Sequence, residues 1–442
     1  MQKKIAFLAA MLMMVLSSAM AQVTTSGING KVTLEATGED VIGATVQAVH
    51  VPSGTKYAAV TNAKGIYSIQ GMRSGGPYTV TVSYIGAQTK EFENISLSLG
   101  ESYNLKVWLA DDTKTLGEVV VSGQAGVNGT RNGAAQTISN RMIQELPSIN
   151  HSVADIARVN PFVKVTEGGA INIAGSNNRY NAIQIDGAMS NDVFGLTSNG
   201  ANGGQAGTQP FSMETIDQLH VSIAPFDVRQ SGFTGGAINA ITKSGTNEFH
   251  GSVYSYFQNG DMVSNKYKKH DGKESADYGD MTDWTLGATL GGPIVKNKLF
   301  FFANFERSKK EYDNAFSTDN GMSKVDFDVA NQILDKVRTD AAAQGVNYRG
   351  TLGTPKEYTY SDKVGIKLDW NINDRNHASL RWSFVDAKQN NKTASAKNLV
   401  TNDYAFDFCS KTSALVFELN SRIGDNMSNE FHASWTSVRD KR

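Results

Sequence analysis

The sequence predicts a mainly β chain in three folded parts. These are a small β-sandwich, a compact α+β domain, and the first strands of an antiparallel transmembrane β-barrel. Three observations mark the barrel. First, Trp284, Leu286, Ala288 and Leu290 alternate with Thr285, Gly287, Thr289 and Gly291. Val364, Ile366, Leu368 and Trp370 alternate with Gly365, Lys367 and Asp369, and Ala378, Leu380, Trp382 and Phe384 with His377, Ser379, Arg381 and Ser383. Successive side chains on a strand point to opposite faces, so each stretch has one apolar and one polar face. Second, the connectors are alternately short and long, as between the two rims of an outer-membrane barrel. Third, no segment after residue 21 has 18 or more consecutive apolar residues, so a chain that spans a bilayer must do so as a barrel.

Residues 1–21 read as a secretory signal peptide. Lys3 and Lys4 precede an apolar run from Ile5 to Leu16, and Ala19-Met20-Ala21 supplies the small-residue cleavage pattern. Residues 22–112 read as the sandwich, with short strands at 30–34, 44–49, 57–61, 65–69, 78–84 and 105–109. Turn signals such as Pro52-Ser53-Gly54 and Asn62-Ala63-Lys64-Gly65 separate them. Residues 113–123 form a linker in which Val119, Val120 and Val121 favour extended backbone.

Residues 124–245 read as the α+β domain. An amphipathic helix is expected over 152–159, stopped by Asn160-Pro161. A strand pair at 170–174 and 181–186 follows, then a Gly/Asn-rich loop over 191–210. A short helix near 213–216 and strands at 218–223 and 236–242 complete it. From 246 to 442 seven strands are expected, near 249–257, 283–291, 298–306, 359–370, 377–387, 411–421 and 429–438. Long polar connectors lie at 258–282, 307–358 and 388–410. A plugged barrel of about 22 strands, at about 28 residues per strand with loops, needs roughly 600 residues, so this stretch reads as the N-terminal part of a barrel.

Composition excludes several functions. The net charge of −1 makes no electrostatic case for nucleic acid or an anionic surface. The one cysteine, Cys409, excludes an intrachain disulfide and a thiolate metal cluster. None of the seven histidines has Glu three residues on, and there is no His-Glu-x-x-His, Gly-x-Ser-x-Gly or P-loop. No catalytic residue, cofactor or metal site is assigned, and an enzyme is not expected.

Family resemblances add to this reading. Gly43-Ala44-Thr45-Val46, Thr61-Asn62-Ala63-Lys64-Gly65-Ile66-Tyr67 and Tyr78-Thr79-Val80-Thr81-Val82-Ser83-Tyr84-Ile85-Gly86 resemble the carboxypeptidase regulatory-like domain, which implies an Ig-like, non-catalytic module. Residues 152–161 (Ser-Val-Ala-Asp-Ile-Ala-Arg-Val-Asn-Pro), 178–187 (Asn-Arg-Tyr-Asn-Ala-Ile-Gln-Ile-Asp-Gly) and 235–245 (Gly-Gly-Ala-Ile-Asn-Ala-Ile-Thr-Lys-Ser-Gly) occur in that order before the barrel. Together they resemble the plug domain of TonB-dependent outer-membrane receptors. Residues 224–234 and 243–251, with the Gly-Gly-Pro-Ile-Val-Lys-Asn-Lys turn at 291–298, resemble the Oar-like subtype. Ser231-Gly232-Phe233-Thr234-Gly235-Gly236 departs from the pattern of glycan-importing relatives.

The resemblance implies roles for particular residues. Leu116, Glu118, Val119, Val120, Val121 and Ser122 resemble a TonB box, whose exposed strand would add to the edge of TonB by β-augmentation; a last sandwich strand or an ordinary linker strand is the alternative. Arg179, Asp186, Gly187, Gly235, Gly236 and Lys243 are plug-structural candidates, with Arg179 and Asp186 expected to find buried partners in the polar lumen. The loop residues Asn191, Phe194, Asn199, Asn202 and Gln205 are substrate-contact candidates, against an inert connector. Tyr254, Tyr256, Trp284, Trp370, Trp382 and Trp435 fit interfacial aromatic girdles, with ordinary barrel or lumen packing as the alternative for each. The implied function is TonB-coupled transport of an unidentified substrate across the outer membrane, with TonB, its inner-membrane energising complex and outer-membrane lipid as partners. The alternative is an adhesion, secretion or display barrel with a static plug.

Overall fold

The computed structural model describes residues 23–111, 119–122, 134–148, 151–166, 169–192, 194–197, 199–223, 230–263, 280–314, 324–352, 356–391, 397–424 and 427–442. Residues 1–21, expected to be a signal peptide, lie outside these residues.

The sandwich is built from β1 (Thr25–Leu34), β2 (Thr45–His50), β3 (Thr55–Val60), β4 (Ile66–Arg73), β5 (Gly75–Ser83), β6 (Lys90–Leu97), β7 (Ser102–Asn104) and β8 (Val107–Leu109). One sheet centres on β1, which pairs with β4, β7 and β8; the other runs β3-β2-β5-β6-β9, where β9 is Val119–Ser122. Alternate residues turn inward, as in β2 and β5, so Ile28, Val46, Ala48, Met72, Tyr78, Val80 and Val82 meet in one core. The strand β6 was not foreseen: Lys90, Glu91 and Glu93 mask its alternation, although Phe92, Ile95 and Leu97 pack on the core.

The α+β unit contains β10 (Ala134–Ser139), a helix Asn140–Glu145, a helix Val153–Ala157, β11 (Val163–Val165), β12 (Ile171–Ile173), β13 (Ala182–Ile185), β14 (Ala188–Met189), β15 (Ile216–Ile223) and β16 (Gly236–Thr242). Ser152 caps the second helix, its Oγ accepting from Asp155 N at 3.1 Å. The main sheet runs β10-β15-β16-β13-β14, with β13 and β16 parallel. The expected pairing of 170–174 with 181–186 is corrected. β12 pairs with β11, and β13 pairs with β14 and β16. Sequence neighbours were mistaken for spatial partners, because the crossover from β13 to β16 carries no local signal. The buried faces of β15 and β16 supply Leu219, Val221, Ile238 and Ala240 to a second core with Ile138, Val153 and Ile156.

The seven-stranded antiparallel sheet runs in chain order: β17 (His250–Asn259), β18 (Met281–Val295), β19 (Leu299–Tyr312), β20 (Glu357–Asn373), β21 (Asn376–Asn391), β22 (Phe406–Ile423) and β23 (Met427–Lys441). Its strands reach 18 residues, longer than the sequence suggested. The sheet is inside-out by soluble standards. On β20, Ile366 and Trp370 are 44% and 46% exposed while Lys367 and Asp369 are 8% and 4% exposed. That is the sign of a wall with lipid outside and a polar lumen within. Trp370, Trp382 and Trp435 do face outward. Tyr254 and Tyr256 do not: both hydroxyls reach inward, to Glu306 and Glu214, which removes them from a girdle. One long connector holds an unforeseen helix, Phe327–Ala343, capped by the Asp326 carboxylate accepting from Asp328 N and Val329 N.

Candidate functional site: the seat of the plug and the chamber below it

The α+β unit packs against the polar inner face of the barrel wall, and Asp186 is its best-anchored contact. Ile185 pairs with Ala188 across Asp186-Gly187, whose φ values of 46° and 75° give the two left-handed residues of a tight hairpin turn. Asp186-Gly187 is thus a turn with a second role. The turn aims the buried carboxylate at β20 and β21. Arg381 Nε lies 2.7 Å from Oδ2, a charge contact without the alignment of a hydrogen bond, and Lys367 Nζ lies 3.8 Å from Oδ1. Thr242 donates its N–H to Oδ1 at 2.8 Å and its hydroxyl to Oδ2 at 2.7 Å. Lys367 donates to Thr242 O at 3.1 Å, and Arg381 Nη2 donates to Ile185 O at 3.2 Å. His432 Nε2 on β23 lies 3.0 Å from Asp186 O. Burial pushes the Asp186 carboxyl upward, but Lys367, Arg381 and the Thr242 donors outweigh it and hold the acid below its ordinary range.

A second seat lies toward the long-loop side. Glu306 on β19 is buried beside its cross-strand partner Lys363, whose Nζ donates to Oε1 at 2.8 Å. Ser212 of the α+β unit donates to Oε2 at 2.5 Å, and Tyr254 donates to the same oxygen at 2.9 Å. Neither Glu306 nor Lys363, Arg381 or Thr242 was singled out in the sequence. Their signal was a charged or polar residue on the polar face of an alternating strand, legible as lumen-facing but not as paired.

The other plug-structural candidates divide. A side chain at Gly235 would place its Cβ 2.4 Å from Asn181 Oδ1, and at Gly236 2.5 Å from Ile173 Cγ2. These glycines admit the close passage of β16 over its neighbours. Lys243 donates its backbone N–H to Thr215 O at 2.7 Å, and burial lowers its ammonium despite the nearby Glu214 and Asp217. Arg179 is corrected: it is exposed, in a one-turn 3-10 helix at Asn178–Tyr180, and not buried against the lumen wall.

The loop candidates are not brought together as a site. Asn191 ties the loop to β13, accepting from Ile183 N at 2.7 Å and donating to Asn181 O at 2.9 Å. Asn199 accepts from Ala201 N, Asn202 is buried, and Gln205 accepts from Arg442 at 3.3 Å. Phe194 alone of the five stands out, at 79% exposure. Of the TonB-box candidates, Leu116 and Glu118 lie outside the described residues. Val119–Ser122 form β9, parallel to β6, with Val120 opposite Glu91.

Below the Asp186 seat, at the short-turn rim, the sandwich walls one side of a partly open chamber of about 540 Å³. Arg73, Asp186, Asp217, Lys243, Lys367 and Glu418 line it among others. Burial raises the Asp217 carboxyl, against the pull of Lys367, Lys243 and Arg73.

Comparison with known proteins agrees with this architecture. The carboxypeptidase regulatory-like domain model matches residues 27–110, and the outer membrane beta barrel domain model matches residues 241–350. The TonB-dependent transporter Oar of Myxococcus xanthus is 28% identical over 318 residues, covering 66% of this chain and 28% of Oar. The chain is a homologue of TonB-dependent outer-membrane transporters. It is an outer-membrane protein, similar over this stretch to Oar. A probable TonB-dependent siderophore receptor, PirA of Acinetobacter baumannii, is 25% identical over 190 residues, or 39% of this chain and 23% of PirA. The chain thus spans under a third of the length of either relative. Among solved structures, the outer membrane transporter YddB of Escherichia coli aligns with a TM-score of 0.49 at 15% identity, over 70% of this chain and 39% of YddB. The ferric enterobactin receptor PfeA of Pseudomonas aeruginosa aligns with a TM-score of 0.47 at 16% identity, over 69% and 40%. The relatives are named as transporters and receptors, not as enzymes.

Proposed function

We propose that this chain carries the gate of a TonB-dependent active transporter for a substrate not yet identified. The supporting observation is the Asp186 seat. One plug carboxylate is held by two cations on two barrel strands and by Thr242, and breaking such a buried cluster costs several kcal/mol. A plug seated this way needs work to move, and that requirement is met by an external energy source coupled mechanically to the chain.

In this reading the short turns face the periplasm and the long loops the exterior. Substrate binds on the long-loop side, where Phe194 and its neighbours lie. TonB takes hold of 116–122 by strand addition and pulls; the plug shifts, and a path opens along the lumen wall. The protein acts by binding and displacement, and its own residues perform no covalent step.

The test is Val120→Pro in the full-length receptor. Proline removes a backbone donor and disrupts strand pairing. Energised displacement of the plug, followed by crosslinking of the box to TonB and by protonophore-sensitive uptake, should be lost while the folded receptor accumulates normally. Uptake and crosslinking at the unmodified level would refute the box and its coupling role.

A further inference from the structure

The structure assigns the N-terminal sandwich a role beyond that of an accessory module: it is a second stopper, docked across the short-turn rim beneath the plug, and it must leave before the lumen is continuous. This inference concerns the closed state itself; only the release step rests on the transport reading.

The docking surface is matched donor to acid. The barrel rim presents Asp369, Glu418 and Glu430, and the sandwich meets each one. Arg73 Nη2 lies 2.9 Å from Asp369 Oδ1, Thr24 donates to Glu418 at 2.8 Å, and Thr25 donates to Glu430 at 2.7 Å. Asn371 donates to Thr55 Oγ1 at 2.9 Å, and Asn247 donates its N–H to Pro52 O at 2.8 Å. The ring of Tyr57 lies 4.9 Å from that of His377.

The same module also grips the plug. The Gln218 amide on β15 accepts from Leu99 N and donates to Leu97 O, both at 3.2 Å. Asn239 on β16 donates to Val23 O at 2.7 Å. The sandwich is therefore joined to wall and plug at once. A tethered module swinging freely in solvent would not bury Asp369 to 4% exposure. Nor would it satisfy the backbone of 97–99 through a plug side chain.

The pairing of β9 with β6 gives the release its order. Force applied to 119–122 loads the edge of the sandwich sheet through the β6 ladder. The stopper therefore feels the pull before the plug does.

The experiment measures access to the chamber in the resting, full-length receptor. Ser244, which lines it, is replaced by cysteine in a Cys409→Ser background. Labelling of position 244 by a maleimide–polyethylene glycol of about protein-module size is followed by peptide mass in detergent. With the stopper seated, labelling is slow. Arg73→Ala and Asp369→Asn should each speed it at least tenfold, and Arg73→Lys should restore much of the slow rate. Oxidising a Thr55→Cys/Asn371→Cys pair should return the Arg73→Ala protein to the slow rate, which separates undocking from a damaged fold. Labelling that is already fast with Arg73 intact, or unmoved by all of these changes, overturns the stopper. Since neither energy nor substrate is supplied, this outcome is independent of whether the transport reading holds.

Discussion

Replacing Asp186 with alanine tests the plug seat directly. The change removes the carboxylate that faces Arg381 and Lys367, which are 5% and 8% exposed; it leaves Arg381 buried without its counter-charge, while Lys367 keeps Asp217 and Glu418 nearby. Breaking a buried pair by deleting one partner costs about 3–5 kcal/mol. Thr242 also loses the acceptor for its N–H and hydroxyl, each of about 1–3 kcal/mol when orphaned. Water entering the vacated space offsets part of both, so the lower end, about 3 kcal/mol, is expected. At about 1.4 kcal/mol per factor of ten, the opening equilibrium of the seat should rise on the order of a hundredfold. Hydrogen exchange reads this directly, since exchange of protected amides scales with local opening. The amides of Asp186 and Thr242 and the β13–β16 ladder should exchange on the order of a hundredfold faster, with those of β2 and β5 unchanged. Asp186→Asn, which keeps the shape but not the charge, should fall between. A change below about threefold in the alanine variant would refute the claim that this carboxylate holds the plug.

Three further outcomes follow from the same structure. In a double-mutant cycle, Glu306→Gln and Lys363→Met should couple by about 1–3 kcal/mol in unfolding, because each single change strands a buried partner that the other removes. Gly236→Ala should destabilise the plug by about 1–3 kcal/mol through overlap with Ile173, and Ile173→Val should recover only part of it, since it removes Cδ1, 2.7 Å from the added Cβ, but keeps Cγ2 at 2.5 Å. His50 is driven down to about 3, chiefly by burial and then by the charge of Arg73, so its imidazole stays neutral when folded. The unfolded chain binds that proton near pH 6.5, so sandwich stability is full above pH 6.5 and falls as the pH drops toward 3. The loss is about 2 kcal/mol by pH 5. Imidazole carbon shifts of His50 should be flat from pH 8 to pH 4, and a midpoint near 6.5 would contradict the burial argument.

The periodicity of the chain by itself determined the class, the seven strands of the barrel sheet and the inward facing of their charged residues, but not the inward turn of Tyr254 and Tyr256. Side-chain alternation is a local property: Lys367, Asp369 and Arg381 were marked as lumen-facing by their neighbours at i±1 alone. The hairpin at Asp186-Gly187 and the close-packed Gly235-Gly236 were local too, since left-handed backbone and missing Cβ atoms leave a mark on residue choice. Partnership was not local. That Asp186 meets Arg381, 195 positions on, depends on how the plug sits in the wall, as does the exposure of Arg179 within the same motif. The charged strand β6 and the crossover from β13 to β16 escaped for the same reason, as their pairing is set by the sheet and not by the segment. The docking of the sandwich had no periodicity to betray it. Its contacts join Thr24, Arg73 and Leu99 to residues more than a hundred positions away, and only tertiary structure brings such donors and acids to one rim.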